Sequence, residues 1–255
     1  MFTPKRVVAT AGIALASLAA LTAGAAAQTG LSCEGQVATI VGTDGDDRLE
    51  GTDGPDVIVA LDGNDVIFAA SGDDLVCAGN GDDSVFGGGG DDLIFGQRGN
   101  DHLEGGKGSD TLFGQRGSDD IFGNAQILLT DQDADPAPDS LFGGRGSDIL
   151  VGTDGDDILK GGIGRDIVDG LNGDDYVRGG AGDDQIGGQR GSDMLRGGKG
   201  DDVVFVFEVD DVRGGPGLDD LCLLSGDLEP SVLKGCESID LAADVVIVPI
   251  RGLLQ

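Results

Sequence analysis

The sequence predicts an all-β chain wound as a solenoid, with two parallel sheets facing each other and eighteen residues in each coil. Three observations carry that reading. A nine-residue unit, Gly-Gly-x-Gly-x-Asp-x-U-x with U aliphatic, runs nine times without a gap over residues 42–122 and seven times over residues 143–205. Glycine holds position four and aspartate position six of every uninterrupted unit, a regularity that marks a repeat architecture. Position eight is always aliphatic, from Leu49, Ile58 and Ile67 in the first block to Leu195 and Val204 in the second. Glycines permit the positive φ of a tight loop, and the last three residues of each unit are β-formers with alternating direction. One residue per strand then points inward. Three-residue strands joined by six-residue loops cannot form hairpins in register, but two units wind a flat coil that stacks on the next. With a rise of ~4.8 Å per coil, roughly nine coils make a rod on the order of 40 Å long.

The elements follow in order. Residues 1–27 carry Lys5 and Arg6, an apolar run over 7–21 and then Ala25, Ala26 and Ala27. That order predicts a cleaved secretory signal peptide, and the run is short for a membrane span. Residues 28–41 form an N-terminal cap, with Ile40 at the inward position of a nine-residue leader over 33–41. Residues 42–122 are the first block. Residues 123–142 are an interrupted unit that opens at Gly123 and closes with Asp139, Ser140, Leu141 and Phe142. Its insertion places Asp131, Asp133 and Asp135 as at the start of an EF-hand. However, Pro136 stands where that motif needs glycine and Phe142 where it needs glutamate, so the insertion reads as a solvated loop. Residues 143–222 are the second block, in which a shortened unit (206–213) precedes a last full one with Asp219 at position six and Leu221 at position eight. Residues 223–255 are a C-terminal cap and tail. Within them 231–242 reads as a capping strand, and the apolar run 245–250 is too short to cross a membrane.

Cys33 and Cys77 lie toward one end and Cys222 and Cys236 toward the other. A rod tens of ångströms long cannot bring its ends within the ~6 Å a disulfide requires. The expected pairs are therefore Cys33 with Cys77 and Cys222 with Cys236, in an exported chain where oxidation persists.

Stacking places position-six carboxylates of successive coils about 5 Å apart, where each like pair costs roughly 1 kcal/mol in water and more near a surface. One inward aliphatic per nine residues is a thin core against that repulsion, so a cation is expected between the loops. Calcium suits the place, because it takes six to eight hard oxygen ligands in loose geometry and stacked loops offer carboxylates with carbonyls. Magnesium fits such carbonyl cages poorly. Zinc lacks its usual ligands, since His102 is the single histidine and the cysteines are few and scattered.

On these residues the units resemble the hemolysin-type, or RTX, calcium-binding nonapeptides, over residues 42–222. The resemblance implies a right-handed parallel β-roll, calcium held between units n and n+2 by position-six aspartates and loop carbonyls, and a largely disordered metal-free state. The implied ligands are Asp47, Asp56, Asp65, Asp74, Asp83, Asp92, Asp101, Asp110 and Asp119, then Asp148, Asp157, Asp166, Asp175, Asp184, Asp193 and Asp202. Asp139, Asp210 and Asp219 belong to interrupted, shortened and terminal loops. Counting like-sided neighbours within each block gives about a dozen ions at most. An N-terminal signal departs from the family's toxins and proteases, which typically leave the cell through a type I channel with an uncleaved C-terminal signal.

Loss of Lys5 and Arg6 with the signal takes the net charge from −31 to −33, which repels nucleic acid and anionic membranes. Position nine carries Phe68, Phe86, Phe95, Phe113, Phe122, Phe142 and Phe205, and the coil geometry aligns Phe95, Phe113 and Phe142 on one face. That row is either a ladder for a glycan, a protein partner or another roll, or simply ring stacking along a sheet. Cations recur at position three as Arg98, Lys107, Arg116, Arg145, Arg190 and Lys199, where they temper the acidic loops; the alternative is a surface for an anionic polymer. The expected function is a secreted calcium-binding module with a structural, adhesive or matrix role. An extracellular calcium store or sensor is the alternative. A polysaccharide-modifying enzyme is disfavoured by a lone His102, a lone Tyr176 and the absence of a long non-repeat segment.

Overall fold

Each glycine turn reverses the chain and each aliphatic position eight pulls the following strand inward, so alternate units feed two opposite sheets. The computed structural model describes residues 31–124 and 136–206, with the further strands Asp211–Arg213, Leu221–Leu224, Leu233–Lys234 and Ser238–Leu241. Two eleven-stranded parallel sheets take alternate strands in chain order. The first sheet includes Val57–Asp62, Leu75–Asn80, Leu93–Arg98, Thr111–Arg116, Ser140–Arg145, Ile158–Ile163, Tyr176–Ala181 and Met194–Lys199. The second includes Arg48–Glu50, Val66–Ser71, Ser84–Gly89, His102–Lys107, Asp120–Phe122 and Ile149–Val151. Partners stand eighteen residues apart, as in Leu93 with Thr111 and Ser84 with His102, so a coil is two nonapeptides. The expected all-β two-sheet solenoid is the observed architecture.

The strands are longer than the sequence pattern suggests. Val57–Asp62 and its first-sheet successors through Met194–Lys199 span six residues, running from position seven through position three of the next unit, and leave positions four to six for the turn. The same extension adds a second inward position. Ala60, Ala69 and Ala78, at position one, are as buried as the aliphatics at position eight, and one continuous core runs from Ile40 through Leu112 and Leu141 to Val206. The signal was in the sequence: position one of the uninterrupted units is only glycine or alanine, which is what the narrow gap between the sheets admits.

The insertion leaves the stack intact. Thr111 pairs with Ser140 and Asp120 with Ile149, twenty-nine residues apart instead of eighteen, so the interrupted unit fills one ordinary place with its extra residues outside the ladder. At the far end the phase shifts by one. Met194 pairs with Asp211, seventeen residues on, after the shortened unit. The next strand then pairs Val203 with Leu221 and Val204 with Cys222. The register of position eight in the last unit therefore falls on Cys222 and not on Leu221. The stretch expected to form one capping strand supplies two, Leu233–Lys234 on the first sheet and Ser238–Leu241 on the second.

At the N-terminal end an antiparallel hairpin, Ser32–Cys33 with Gln36–Val37, lies beside the roll. Cys33 is bonded to Cys77 with a Cα–Cα distance of 5.7 Å, as the local-pair argument required. Cys77 faces outward from its sheet yet is buried, because the hairpin covers it and forms a small outer cluster with Val59 and Leu75. Residues 1–27, the aspartates of the insertion (Asp131, Asp133 and Asp135), Cys236 and the run 245–250 lie outside the described residues.

Candidate metal-binding loops

The glycine turns stack into two columns, one along each edge of the sandwich. Position-six aspartates occupy equivalent places in every coil because backbone N–H groups hold them there. The Asp65 N–H donates to Asp83 Oδ1 at 2.8 Å, and the Asp83 N–H donates to Asp101 Oδ1 at 3.0 Å. The same bond links Asp74 to Asp92, Asp148 to Asp166 and Asp166 to Asp184. It also bridges the insertion, from Asp110 to Asp139 and from Asp119 to Asp148, both at spacing 29. Asp139, expected to be less secure, is buried and fully integrated; its N–H donates to Asp157 Oδ1 at 2.7 Å. The two columns are thus continuous through the break that the sequence suggested. Asp210 and Asp219 lie outside the described residues.

At ten of these aspartates the bond satisfies one carboxylate oxygen and leaves the other. Oδ2 of Asp65, Asp74, Asp83, Asp92, Asp101, Asp119, Asp148, Asp166, Asp175 and Asp184 is buried without a hydrogen-bond partner. A buried unpaired charge is costly. At Asp92, Asp101, Asp119, Asp148, Asp166, Asp175 and Asp184 these oxygens lie beside the glycine that opens their own unit, whereas the units of Asp65, Asp74 and Asp83 open with Ala60, Ala69 and Ala78. A Cβ added to Gly87 would overlap both Asp92 Oδ2 and the carbonyl oxygen of Gly105 in the next coil, and one added to Gly143 would meet Asp148 Oδ2 and the Gly161 carbonyl. Oxygens of two stacked loops therefore converge on the glycines that open these units. Positions four stack just as closely, since a Cβ on Gly99, at φ +142°, would strike the Gly81 carbonyl.

The protonation chemistry follows from this burial. Removal from water pushes the carboxyls of Asp74, Asp83, Asp92, Asp101 and Asp148 up to about 7, with neighbouring aspartates adding to the rise and the donated N–H opposing it. Asp175 is pushed to about 8 for the same reason, with Asp157 and Asp193 as its charged neighbours. Among the described residues no three acidic, histidine or cysteine side chains converge on one point. What converges is carboxylate oxygen with backbone carbonyl, a hard-oxygen set that fits calcium and does not fit zinc. His102 is engaged elsewhere: its Nε2 lies 2.9 Å from Glu104 Oε1, which raises its pKa, and its ring leans on Phe86 and Phe122.

A second clasp was not anticipated. The position-five side chain accepts from the position-five N–H of the following coil, as in Asn64 to Asp46 Oδ1, Asp82 to Asn64 Oδ1 and Asn100 to Asp82 Oδ1. It runs opposite to the position-six bond, so a pair of stacked loops that has both is tied in both directions. The enrichment of position five in Asp, Asn and Ser was its visible sign.

On the outer face of the first sheet the expected aromatic row is present. Phe95, Phe113 and Phe142 stack with ring centroids 5.1 and 4.7 Å apart. Its continuation had not been picked out: Phe142 pairs in register with Lys160, Lys160 with Arg178 and Arg178 with Arg196. Lys160 Nζ sits 5.0 Å from the centre of the Phe142 ring.

The sequence model of the RTX calcium-binding nonapeptide repeat (4 copies) matches this chain over residues 41–76, 78–103, 95–127, 134–168, 142–177, 151–186 and 169–204. No curated protein matches it.

Proposed function

Because the chain belongs to the RTX calcium-binding nonapeptide repeat family, we propose that it is a secreted calcium-binding roll that folds as it takes up the ion between stacked loops and serves as a structural or adhesive module. The observation that carries this reading is the row of buried Oδ2 atoms with no partner, repeated in both columns of turns and faced by carbonyls of the next loop. Bound calcium would supply the positive charge that lets these carboxylates stay ionised in a buried place. The chain does the rest. Position-six N–H groups orient each carboxylate, glycines leave the space, and the aliphatic core holds neighbouring loops in register. Without the cation the same aspartates repel one another and resist burial, so binding and folding become one event. Circular dichroism of the chain in excess chelator should show disorder that converts to β-structure when calcium returns. An unchanged β spectrum in chelator would sink the proposal.

Export is supported by the pattern of residues 1–27 and by the Cys33–Cys77 disulfide, a bond at home in oxidising compartments. An adhesive role is supported by the outer face of the first sheet, where the aromatic row gives way to Lys160, Arg178 and Arg196 in successive coils of a chain with net charge −31. Rings for sugar faces beside cations for acidic groups suit an anionic glycan. Retention of the calcium-loaded protein on an immobilised uronate polymer, lost in Arg178→Glu, tests this role. The store or sensor alternative requires a folding midpoint that tracks ordinary swings of extracellular calcium, and a calcium titration separates it from a constitutive module.

A further inference from the structure

The sixteen uninterrupted units are not equivalent. In thirteen of them the chain passes through left-handed backbone twice, at position two and position four, as at Leu61 (φ 88°) and Gly63 (φ 125°) or Gln97 (φ 79°) and Gly99 (φ 142°). The three units that carry threonine at position two do neither: Thr43, Gly45, Thr52, Gly54, Thr153 and Gly155 all avoid positive φ. Their aspartates differ in the same way. Asp47 Oδ2 accepts from the Thr43 N–H at 2.5 Å and from Thr43 Oγ1 at 2.9 Å. Asp56 Oδ2 accepts from the Thr52 N–H and Oγ1 at 2.7 and 2.9 Å, and Asp157 Oδ2 from the Thr153 N–H and Oγ1 at 2.6 and 3.3 Å. The threonine hydroxyl in turn accepts from the position-four N–H of its own turn, at Gly45, Gly54 and Gly155. The oxygen that stands bare in the open loops is thus capped twice from within the loop.

The placement of the three loops has a logic. Thr43 and Thr52 lie in the first loop of each column, with no repeat loop before them. Thr153 lies in the loop that follows the interrupted unit in its own column, and its Oγ1 also reaches the Ala137 carbonyl at the end of the insertion. A regular loop receives its N-terminal face from a regular predecessor; these three do not.

We propose that the threonine loops are closed to calcium: Thr43, Thr52 and Thr153 take as hydrogen-bond donors the Oδ2 that the other loops turn to the ion, so Asp47, Asp56 and Asp157 begin each ladder without serving as ligands on that side. This rests on the reading that calcium lies between stacked open loops. It lowers the ion count by three from that of a ladder in which every loop takes part, and it starts one column twice. The cap has a clear advantage at these places. A loop at the start of a ladder has an ordinary neighbour on one side alone, and internal donors keep its carboxylate satisfied and its turn closed when no complete oxygen cage can form.

Native mass spectrometry of the calcium-loaded full chain, together with the calcium midpoint for folding, tests it with a pair from one column. Asp175 lies in the next open loop of the column that contains Asp157, and the Asp157 N–H donates to Asp175 Oδ1. Asp175→Asn is expected to lose at least one ion and to raise the midpoint several-fold. Asp157→Asn is expected to keep the wild-type ion count with a midpoint within about twofold. Loss of an ion from Asp157→Asn, matching Asp175→Asn, overturns the proposal while leaving the calcium reading in place. Should Asp157→Asn fail to fold, Thr153→Gly decides: removing the hydroxyl and freeing position two for positive φ should add one ion, and an unchanged count overturns the closed-loop assignment. Wild-type protein that binds no calcium overturns the calcium reading itself, a result distinct from either variant outcome.

Discussion

Replacement of Asp83 separates the two tasks that a position-six aspartate performs. Its Oδ1 accepts from the buried N–H of Asp65, its own N–H reaches Asp101 Oδ1, and its Oδ2 is bare. Asp83→Ala removes the acceptor and orphans the Asp65 N–H, at a cost of about 1–3 kcal/mol. It also removes a ligand oxygen. A site saturated at about a hundred times its dissociation constant stabilises the folded state by about 2.7 kcal/mol, so loss of one such site brings the total near 4–5 kcal/mol in calcium. Asp83→Asn keeps an oxygen for the Asp65 N–H and loses the charge, so it should show chiefly the smaller, metal-dependent part. Denaturant unfolding at fixed calcium, repeated across a calcium series, resolves the two. The deficit of Asp83→Asn should shrink as calcium falls, while that of Asp83→Ala retains its hydrogen-bond part. An Asp83→Asn protein with wild-type calcium dependence at every concentration would refute the assignment of Oδ2 to the ion.

Three further outcomes follow. In the metal-free chain the raised carboxyl pKa values, about 7 at Asp83 and Asp101 against 3.8 ordinarily, mean that the folded form holds more protons than the unfolded form between those pH values. Stability of the metal-free roll is therefore full below about pH 4 and lost as pH rises through about 7, and far-UV circular dichroism in chelator should show more β-structure at pH 5 than at pH 8. Leu112 is wholly buried in register with Ile94 and Leu141, so Leu112→Ala should cost about 2–5 kcal/mol in the calcium form, read by chemical denaturation with an unchanged ion count. Cys77→Ser opens the clamp on the N-terminal hairpin and should cost about 2–4 kcal/mol, with hydrogen exchange rising first at Val37 to Val41 and little changed at Leu195.

The nonapeptide period made the coil, the sheet alternation, the inward aliphatics and the aspartate columns legible, because each is a consequence of one residue type at one phase. Features that depend on how one coil meets the next were harder to see. Position one was buried with no aliphatic to announce it, since Ala60, Ala69 and Ala78 are small for steric reasons. The strands run on through position three because backbone pairing there asks nothing of the side chains, as Arg98 and Arg116 in register demonstrate. Cys222 took the place expected of Leu221 because a unit one residue short shifts phase, and local periodicity carries no record of where the missing residue is recovered. The cation row at Lys160, Arg178 and Arg196 escaped notice because position nine holds phenylalanine so often elsewhere.

The insertion bears on how far cooperativity reaches along the rod. Coils contact only their neighbours, so a break in contact between two coils would divide the molecule into independently melting halves. The chain avoids that division unequally. In one column Asp119 bonds directly to Asp148, regular loop to regular loop, at a spacing of 29. In the other, Asp110 reaches Asp139 of the interrupted unit, and Asp139 reaches Asp157, which belongs to a threonine loop. On the proposed reading, calcium coupling would cross the insertion in the first column, whereas the second would carry coupling by hydrogen bonds and sheet pairing. The core is common to both, with Leu141 and Leu150 wholly buried beside Leu112 and Ile121. With hydrogen bonds in both columns and an unbroken core crossing the insertion, both blocks should unfold in calcium as a single cooperative unit, read as one calorimetric transition. The same arrangement makes Asp119 the residue whose loss should do most to uncouple them, since the loop that follows the insertion in its column, that of Asp148, has Gly144 and no threonine to hold the turn when the ion is gone.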